Sequence, residues 1–597
     1  MIIRSERFEK LSDETRPTDK FTAIGELARR RGFFWPSYEI YGGTSGFVTY
    51  GSLGARLKQN IERTLREFFG SKLRILEIES SVITPARVFE ASGHVQHFKE
   101  PMVECLKCAN RFRADHLLRE FANVSEGEAE KLSLVELEEM IEKNKIRCPD
   151  CGGQLGEPKH FMTMFKTTIG PYSEAVGYGR PEAAQGIFVE FKRLYELARE
   201  RFPFGVLQIG HALRNEISPR QGLIRLREFT ISDLEFFFDP EEPDCYVLKE
   251  FENHTLRLLL AEDRLKGSEK VTEVTVREAL HKGYVKCEWQ AVLMVLAKDF
   301  LANLGVPIVR QRFIEKLPWE RAHYSVQSFD QEVCLDSWGW TEIVGHAYRG
   351  DYDLKCHGES SCMEMHVFKE YEKPLERERV TIRPNMAKLG PSFKKEASDV
   401  EQMLSKADPE EVESSFKEKG YFLLGRHKIL PEHLQISREK TVERGRRFIP
   451  HVVEPSFGSD RLLYVALEFA YHVKEGRVVL SFPRDIAPVQ VGVYPLMNKD
   501  GLAERALAVH KLLLDEGFSA EYDDAGSIGR RYARADEAGV PLGLTVDYAT
   551  LGDGTVTIRD RDSWRQVRAK IEDLPGMLSK YFRGKVEFES LGRPVDS

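Results

Sequence analysis

Nowhere in these 597 residues does an apolar run approach the ~18–20 residues that a membrane-spanning helix needs. The opening MIIRSERFEK lacks the apolar core of a signal peptide, so a cytoplasmic protein with no membrane partner is expected. Positive charge is not in excess either. With 87 Lys and Arg against 95 Asp and Glu, the net charge of −8 excludes a uniformly basic nucleic-acid binder, and any RNA-binding surface must be local. No G-x-x-x-x-G-K-[ST] is present, which excludes a P-loop, and the G-Y-G at 177–179 has no third glycine at the dinucleotide-fold spacing. No Ser-His-Asp or Cys-His set, internal repeat or low-complexity tail is found. Cysteine is scarce, nine in all, and in a cytoplasmic chain that argues for metal before disulfide.

What is present is enough chain for three to five domains, with 42% hydrophobic and 30% charged residues, the balance of a folded globular protein. Four cysteines form two C-x-x-C pairs, Cys105/Cys108 and Cys148/Cys151. Thiolates at i and i+3 of a knuckle reach one tetrahedral metal, and two knuckles close the site, so structural rather than catalytic zinc is expected. The 39 residues between the pairs exceed a usual ribbon and read as an insertion closed at its ends. His94, His97, His116, His357, His366, Cys356 and Cys362 have no such spacing and read as core or surface residues.

The chain is organised around Leu213–Phe238, LRNEISPRQGLIRLREFTISDLEFFF. Ser218 to Gly222 supply turn chemistry. From Leu223 the alternation predicts a strand whose odd positions gather Arg225, Arg227, Phe229, Asp233 and Glu235 on one face, with Arg214 and Glu216 ending its hairpin partner. Arginine forks grip phosphate, an aromatic face stacks on a base, and carboxylates hold an ammonium or a metal. The plainer reading is a salt-bridged surface hairpin.

The order Arg-x-Glu, loop, Arg-x-x-x-Phe resembles the second signature motif of class II aminoacyl-tRNA synthetases, and the surrounding RNEISPR is similar to the archaeal and eukaryotic glycyl-tRNA synthetase family. Other segments fit in order. The helical stripe Leu53, Leu57, Ile61, Leu65 and Phe68 resembles motif 1, with Ser52 where the family usually carries proline. RPEAAQGIF at 180–188 resembles the family's glycine loop, and FIPHVVEPSFGSDRLL from Phe448 resembles motif 3.

The resemblance implies an α+β fold: a class II antiparallel sheet flanked by helices, with insertions (one a zinc knuckle) and a C-terminal α/β anticodon-binding domain. It implies an N-terminal catalytic part with motif 1 at 1–102, a zinc-knuckle insertion at 103–160 and core with motif 2 at 161–240. A helical insertion follows at 241–330, a catalytic strand at 331–354, a second, helical insertion at 355–440, motif 3 at 441–480 and the anticodon-binding domain at 481–597. Catalysis is implied for Arg214, Glu216 and Arg461. ATP contacts are implied for these and for Asn215, Ile224, Arg225, Leu226, Arg227, Glu228, Phe229, Glu342, Ile343, Gly458, Ser459 and Asp460, with Mg²⁺ on Glu342. Glycine contacts are implied for Arg113, Glu182, Asp233, Glu454, Pro455 and Ser456, Asp233 being shorter than the family's usual glutamate. Arg530, Arg531 and Arg534, on one helix, are the expected tRNA contacts.

The implied activity is glycine–tRNA ligation: glycine and ATP give glycyl-adenylate, and glycine then passes to the 3′ end of tRNA(Gly). No side-chain nucleophile is needed, since adenylation rests on positioning and charge neutralisation. A homodimer through 44–70 is implied. The alternatives are a non-catalytic, class II-like nucleic-acid-binding subunit and an enzyme of this class for another small amino acid.

Overall fold

Alternation in Phe204–Leu213 (β2) and Glu228–Phe238 (β3) builds the antiparallel pair on which the site is placed, with Gln208 opposite Asp233 and Leu213 opposite Glu228. The computed structural model describes residues 19–595 apart from 123, 125, 130, 172, 173 and 220. The opening read for a signal peptide, the start of the 1–102 segment and Arg220 of the turn lie outside the described residues. Leu234, Phe236 and Phe238 of β3 enter the core, while Asp233 and Glu235 take the other face.

The expected strand from Leu223 is not formed. Gly222, at φ +57°, opens a 3₁₀ turn over Gly222–Ile224, and β3 starts only at Glu228. Arg225 and Arg227 therefore leave the alternating face, because the turn breaks the two-residue period.

Ile75–Glu77 (β1), Thr255–Leu259 (β4), Thr272–Thr275 (β5), Gln311–Glu315 (β6), Gln327–Leu335 (β7), Gly339–Gly350 (β8) and His451–Gly458 (β9) complete a nine-stranded sheet ordered β5-β4-β6-β7-β8-β9-β3-β2-β1. All neighbours are antiparallel except β4–β6 and β2–β1. Against one face packs Glu288–Asn303, buried nearly all round, with Trp289 tilted against Phe236 at 4.1 Å between ring centroids. Ser52–Gly70 (α1) adds a stripe of Leu57, Ile61, Leu65 and Phe69. The expected Phe68 packs half-buried against the same core, and Phe69, a step of four from Leu65, is fully buried. Each such side chain removed from water contributes about 1.5–3 kcal/mol. At Gly54 a Cβ would stand 1.8 Å from the Phe33 carbonyl oxygen, so only glycine lets α1 approach there.

Two expectations are corrected. The stretch 241–330 is not mostly helical, because it supplies β4, β5, β6 and the start of β7 to the main sheet. The leucines of HTLRLLLAEDRLK suit a helix, but pairing on both sides holds Thr255–Leu259 extended, and sheet context overrides propensity. The second insertion is also not purely helical. His366–Ile449 is a separate compact unit whose strands Val367–Pro384 and Leu434–Phe448 pair antiparallel, with helices between them packed around Leu389, Val400, Leu404 and Val412. Residues 355–361 belong instead to helix Tyr352–Ser361 (α2) of the first unit.

At the C-terminus Val491–Pro495 (β10), Ala520–Tyr522 (β11), Leu542–Val546 (β12), Thr555–Asp560 (β13), Gln566–Lys570 (β14) and Arg593–Pro594 (β15) form a sheet ordered β11-β10-β12-β13-β14-β15. Its core of Val491, Val493, Leu542, Leu544 and Ile558 is covered by helices, an α/β layer as expected.

Candidate active site

The polar face of β3, β9 and β8 carries two neighbouring arrangements, one an open cleft and the other a closed pit. The cleft is lined by Arg214, Glu216, Ile224, Arg225, Leu226, Phe229, Glu342, Ile343, Gly458, Asp460 and Arg461, among others. Just beyond β2, Arg214 donates through Nε to the Pro181 carbonyl at 3.0 Å, and its guanidinium lies 5.4 Å from the centre of the Phe229 ring. Among the described residues its terminal nitrogens meet no hydrogen-bond acceptor. Glu216 takes Arg225 at 2.7 Å. Arg461, in the first turn of Ser459–Ala470 (α3), donates to the carbonyls of Ile224 and Glu342 and lies 3.2 Å from the Glu342 carboxylate. Burial opposes ionisation of Glu342, but Arg461 and Lys316 outweigh it and bring that carboxyl down to about 2. Beside it Lys316 pairs with Asp330 at 2.9 Å, and burial, with the Glu342 charge, pushes Asp330 up to about 7.

Four expected contacts do not line this cleft. Arg227 spends its guanidinium on the carbonyls of Glu216, Ser45 and Ile217. Asn215 donates its backbone N–H to Thr163, Glu228 faces His211, and the Ser459 hydroxyl is buried against Ser232. Asp460 lines it but is held from three sides, by Lys58 of α1 at 3.0 Å, the Thr230 N–H at 2.6 Å and the Tyr50 hydroxyl. It ties α1 to β3.

The pit begins two residues along β9. Asp233 lies opposite Ser456, whose hydroxyl donates to it at 2.5 Å, and the Ala183 N–H donates to its second oxygen at 2.8 Å. Glu182 and Glu454 complete the expected carboxylates, and both are buried. Pro455 sits between Glu454 and Ser456 in β9. Burial opposes Glu182's ionisation, but His94, 3.2 Å away, and Arg349 hold it below the usual carboxylate range. Burial pushes Glu454 up to about 8, even against its Arg349 partner.

Arg349 was not anticipated. Fully buried at the end of β8, it reaches Glu454 at 2.7 Å, Asp353 of α2 at 2.8 Å and Glu182 at 3.4 Å, and against burial these carboxylates keep it charged. Gln185 bridges Glu182 and Asp353, at 3.0 and 2.8 Å. The available signal was the four-residue spacing of Arg349 and Asp353. His94, read as a core residue, is buried but touches the site.

Arg113, expected in the pit, instead pairs with Glu100 at 2.6 Å and Asp115 at 2.5 Å. The Glu100 carboxyl is raised by burial against the lowering effect of Arg113, and it also feels Glu216 and Arg225.

The two knuckles close on each other: Cys105 and Cys151 sulfurs are 3.5 Å apart, Cys108 and Cys148 3.6 Å, and all four lie within 4.8 Å. A tetrahedron of ~2.3 Å metal–sulfur bonds has edges of about 3.8 Å, so the donor set fits zinc.

On Ile528–Ala538 (α4) only part of the expected basic patch faces outward. Arg530 is exposed, but Arg531 is buried, donating to the carbonyls of Pro495, Asp524 and Gly526, and Arg534 pairs with Asp523 at 2.7 Å. A helix face holding Arg530 outward turns its neighbour toward the sheet.

A roomier cleft of about 460 Å³ lies between residues 469–484 and the C-terminal sheet. Arg484, Arg561 and Arg565 there are already paired with Glu587, Asp562 and Glu589, and Asp560 adds a fourth carboxylate. That surplus makes it a poor host for a polyanion.

Residues 490–581 match the family described as anticodon binding domain. The chain is similar over nearly all its length to proteins named glycine–tRNA ligase. It is 47% identical over 582 residues to that of Aeropyrum pernix, covering 97% of this chain and 99% of the relative. To that of Pyrococcus horikoshii it is 45% identical over 570 residues (95% and 99%), and to that of Methanocaldococcus jannaschii 44% over 573 (94% and 99%).

Proposed function

This chain belongs to the glycine–tRNA ligase family, and from that premise we propose that the pit takes the ammonium of glycine and the cleft takes ATP. The activity is ATP-dependent ligation of glycine to tRNA(Gly), on a class II antiparallel sheet with an anticodon-binding domain at the C-terminus. The observation that carries the site assignment is the anchoring of Arg214. Held by the carbonyl next to Glu182 and lying over Phe229, it stands where pit and cleft meet.

There its fork meets the α-phosphate as glycine's carboxylate attacks phosphorus in line and pyrophosphate leaves. Arg461 holds the outgoing phosphates, Phe229 stacks on adenine, and Glu216 keeps Arg225 turned into the cleft. Glu342, held ionised, suits Mg²⁺ entering with ATP, and the ion supplies neutralisation of phosphate charge. The 3′-terminal ribose hydroxyl of tRNA then takes the glycyl group from the adenylate, losing its proton as the ester forms, and AMP leaves. No side-chain nucleophile intervenes.

Glycine offers no side chain to grip. Glu182, Asp233, Glu454 and Ser456 hold the ammonium, and alanine is rejected by crowding, because a packed wall resists even one methyl. The same reading assigns structural zinc to Cys105, Cys108, Cys148 and Cys151, tRNA contact to the C-terminal domain with Arg530 outermost, and a cytoplasmic site of action. A homodimer through 44–70 is supported by Ile40 and Tyr41 beside it, 88% and 85% exposed. The segment boundaries expected from sequence remain proposals, with 241–330 reassigned to the main sheet.

Charging of tRNA(Gly) with labelled glycine tests the function. Charging that requires ATP and fails with alanine supports it, and binding of tRNA without charging would favour the non-catalytic alternative.

A further inference from the structure

Beneath the pit lies a carboxyl group that no contact explains. Glu235, two residues past Asp233 on β3, is fully buried, and neither of its oxygens has a hydrogen-bond partner among the described residues. The β3–β9 register that sets Asp233 opposite Ser456 and Phe236 opposite Val453 brings Glu235 beside Glu454. Side chains two apart share a face, so Glu235 and Asp233 both point toward the pit.

The surroundings are crowded with like charge. Glu182, Asp233, Glu235 and Glu454 on the strands and the 182 loop, with Asp353 from α2, make five buried carboxyls. Against them stands Arg349 from β8, which contacts Glu182, Asp353 and Glu454. Arg180 acts on Asp233 from the side, with its guanidinium engaged by His211 and Ser80. His94 faces Glu182, and the half-buried Tyr324 ring covers Arg349 at 3.7 Å. Arg349, with Arg180 at the side, cannot neutralise five buried carboxylates, and like charges sharing such a site do not all ionise.

Resting on the assignment of this pit to glycine's ammonium, we infer that the neighbouring carboxyls of Glu235 and Glu454, not hydrogen-bonded to each other, carry one proton between them in the amino-acid-free protein and that the arriving ammonium expels it. Amino-acid binding is thus coupled to proton release. The step breaks one carboxyl O–H and passes its proton to solvent, while the ammonium keeps its three protons and supplies the positive charge. Burial pushes both carboxyls upward, Glu235 further raised by Glu454's charge and Glu454 raised further by Asp233 and Glu182, consistent with a jointly held proton. Glu235 is a positioning residue. It touches no substrate and acts through Glu454, withholding the full negative charge until a cation arrives. The pit is then selective for a cationic amine without the cost of standing empty and fully ionised.

The test is calorimetric titration of the full-length protein with glycine at pH 7, in two buffers of different ionisation enthalpy. The expected result is release of about one proton per glycine bound. Glu235→Gln, which keeps shape and removes the proton site, should cut that release by more than half while glycine still binds. The wild-type count needs no variant, so a Glu235→Gln protein that failed to fold would leave the main measurement intact. Glycine binding with no proton released overturns the inference alone. So does undiminished release from Glu235→Gln, or release lost in His94→Gln but kept in Glu235→Gln. No glycine binding at all overturns the pit's assignment as well.

Discussion

The cleft and the pit lie on one face of one sheet and solve opposite electrostatic problems. In the cleft, Arg214 and Arg461 are each fixed by backbone carbonyls at one side of the guanidinium, which orients the fork and leaves charge facing open space. In the pit, carboxylates surround Arg349, every carboxyl is buried, and polar groups satisfy one another except, among the described residues, at Glu235 and His94 Nε2. Phosphates carry charge enough to be gripped from a wet, half-open surface. A lone ammonium on the smallest amino acid needs a dry site, where charge counts for more.

The largest effects should come from the shared boundary and the cleft. Arg214→Ala and Arg461→Ala should each lower glycine-dependent ATP–pyrophosphate exchange by ~10²–10³-fold, as loss of a contact to developing charge does. Thermal unfolding should move little. Near-normal exchange in either variant would break the division of labour.

Next is the pit's cation. Arg349→Gln should raise the glycine KM by about 100-fold, near the loss seen when buried charge partners are left unpaired. The ATP KM should stay within about threefold. Equal shifts in both constants would show that the two regions are not separable. Ser456→Gly, by opening space at the α-carbon, should narrow the preference for glycine over alanine about tenfold, measured as the ratio of kcat/KM values.

A smaller effect concerns stability. Glu454's pKa lies above its unfolded value, near 8, so the folded state holds an extra proton between the ordinary carboxyl range and pH 8. Stability from that group is present at low pH and lost as pH rises through this window. The amino-acid-free protein should therefore melt about 2–4 °C lower at pH 8.5 than at pH 6, and saturating glycine should shrink the difference. A flat profile would mean that the pit's charges are balanced some other way.

The four-cysteine module lies apart from this contrast. Cys148→Ser/Cys151→Ser should lose the one zinc expected per chain by elemental analysis, with exchange reduced less than in the arginine variants.

The two regions also differed in how far they could be read from sequence. Arg214, Glu216, Arg225, Phe229 and Arg461 follow one another at motif spacings, and the structure brings them round one cleft. Glu182, Asp233, Glu454 and Ser456 also converge. Arg349, Asp353 and Gln185 come from a strand end and two helices, and His94 from a short helix. Their partnership exists only once β8, β9 and α2 are assembled, which is why it left no local pattern beyond one four-residue spacing. Arg227 was misread because a 3₁₀ turn, invisible to period-2 counting, rotates it out of line. β4 and β5 were missed because strands of four or five residues between helices are set by their neighbours, not by their own residues. Arg531 shows the converse error, a surface charge expected where the helix faces its own sheet.

The central claim is that this face activates glycine and no other amino acid. ATP–pyrophosphate exchange measured across a panel of amino acids tests it most directly. The account predicts exchange with glycine, with alanine and serine reduced by at least about a hundredfold. Comparable exchange with alanine or serine, or none with any amino acid, would contradict it.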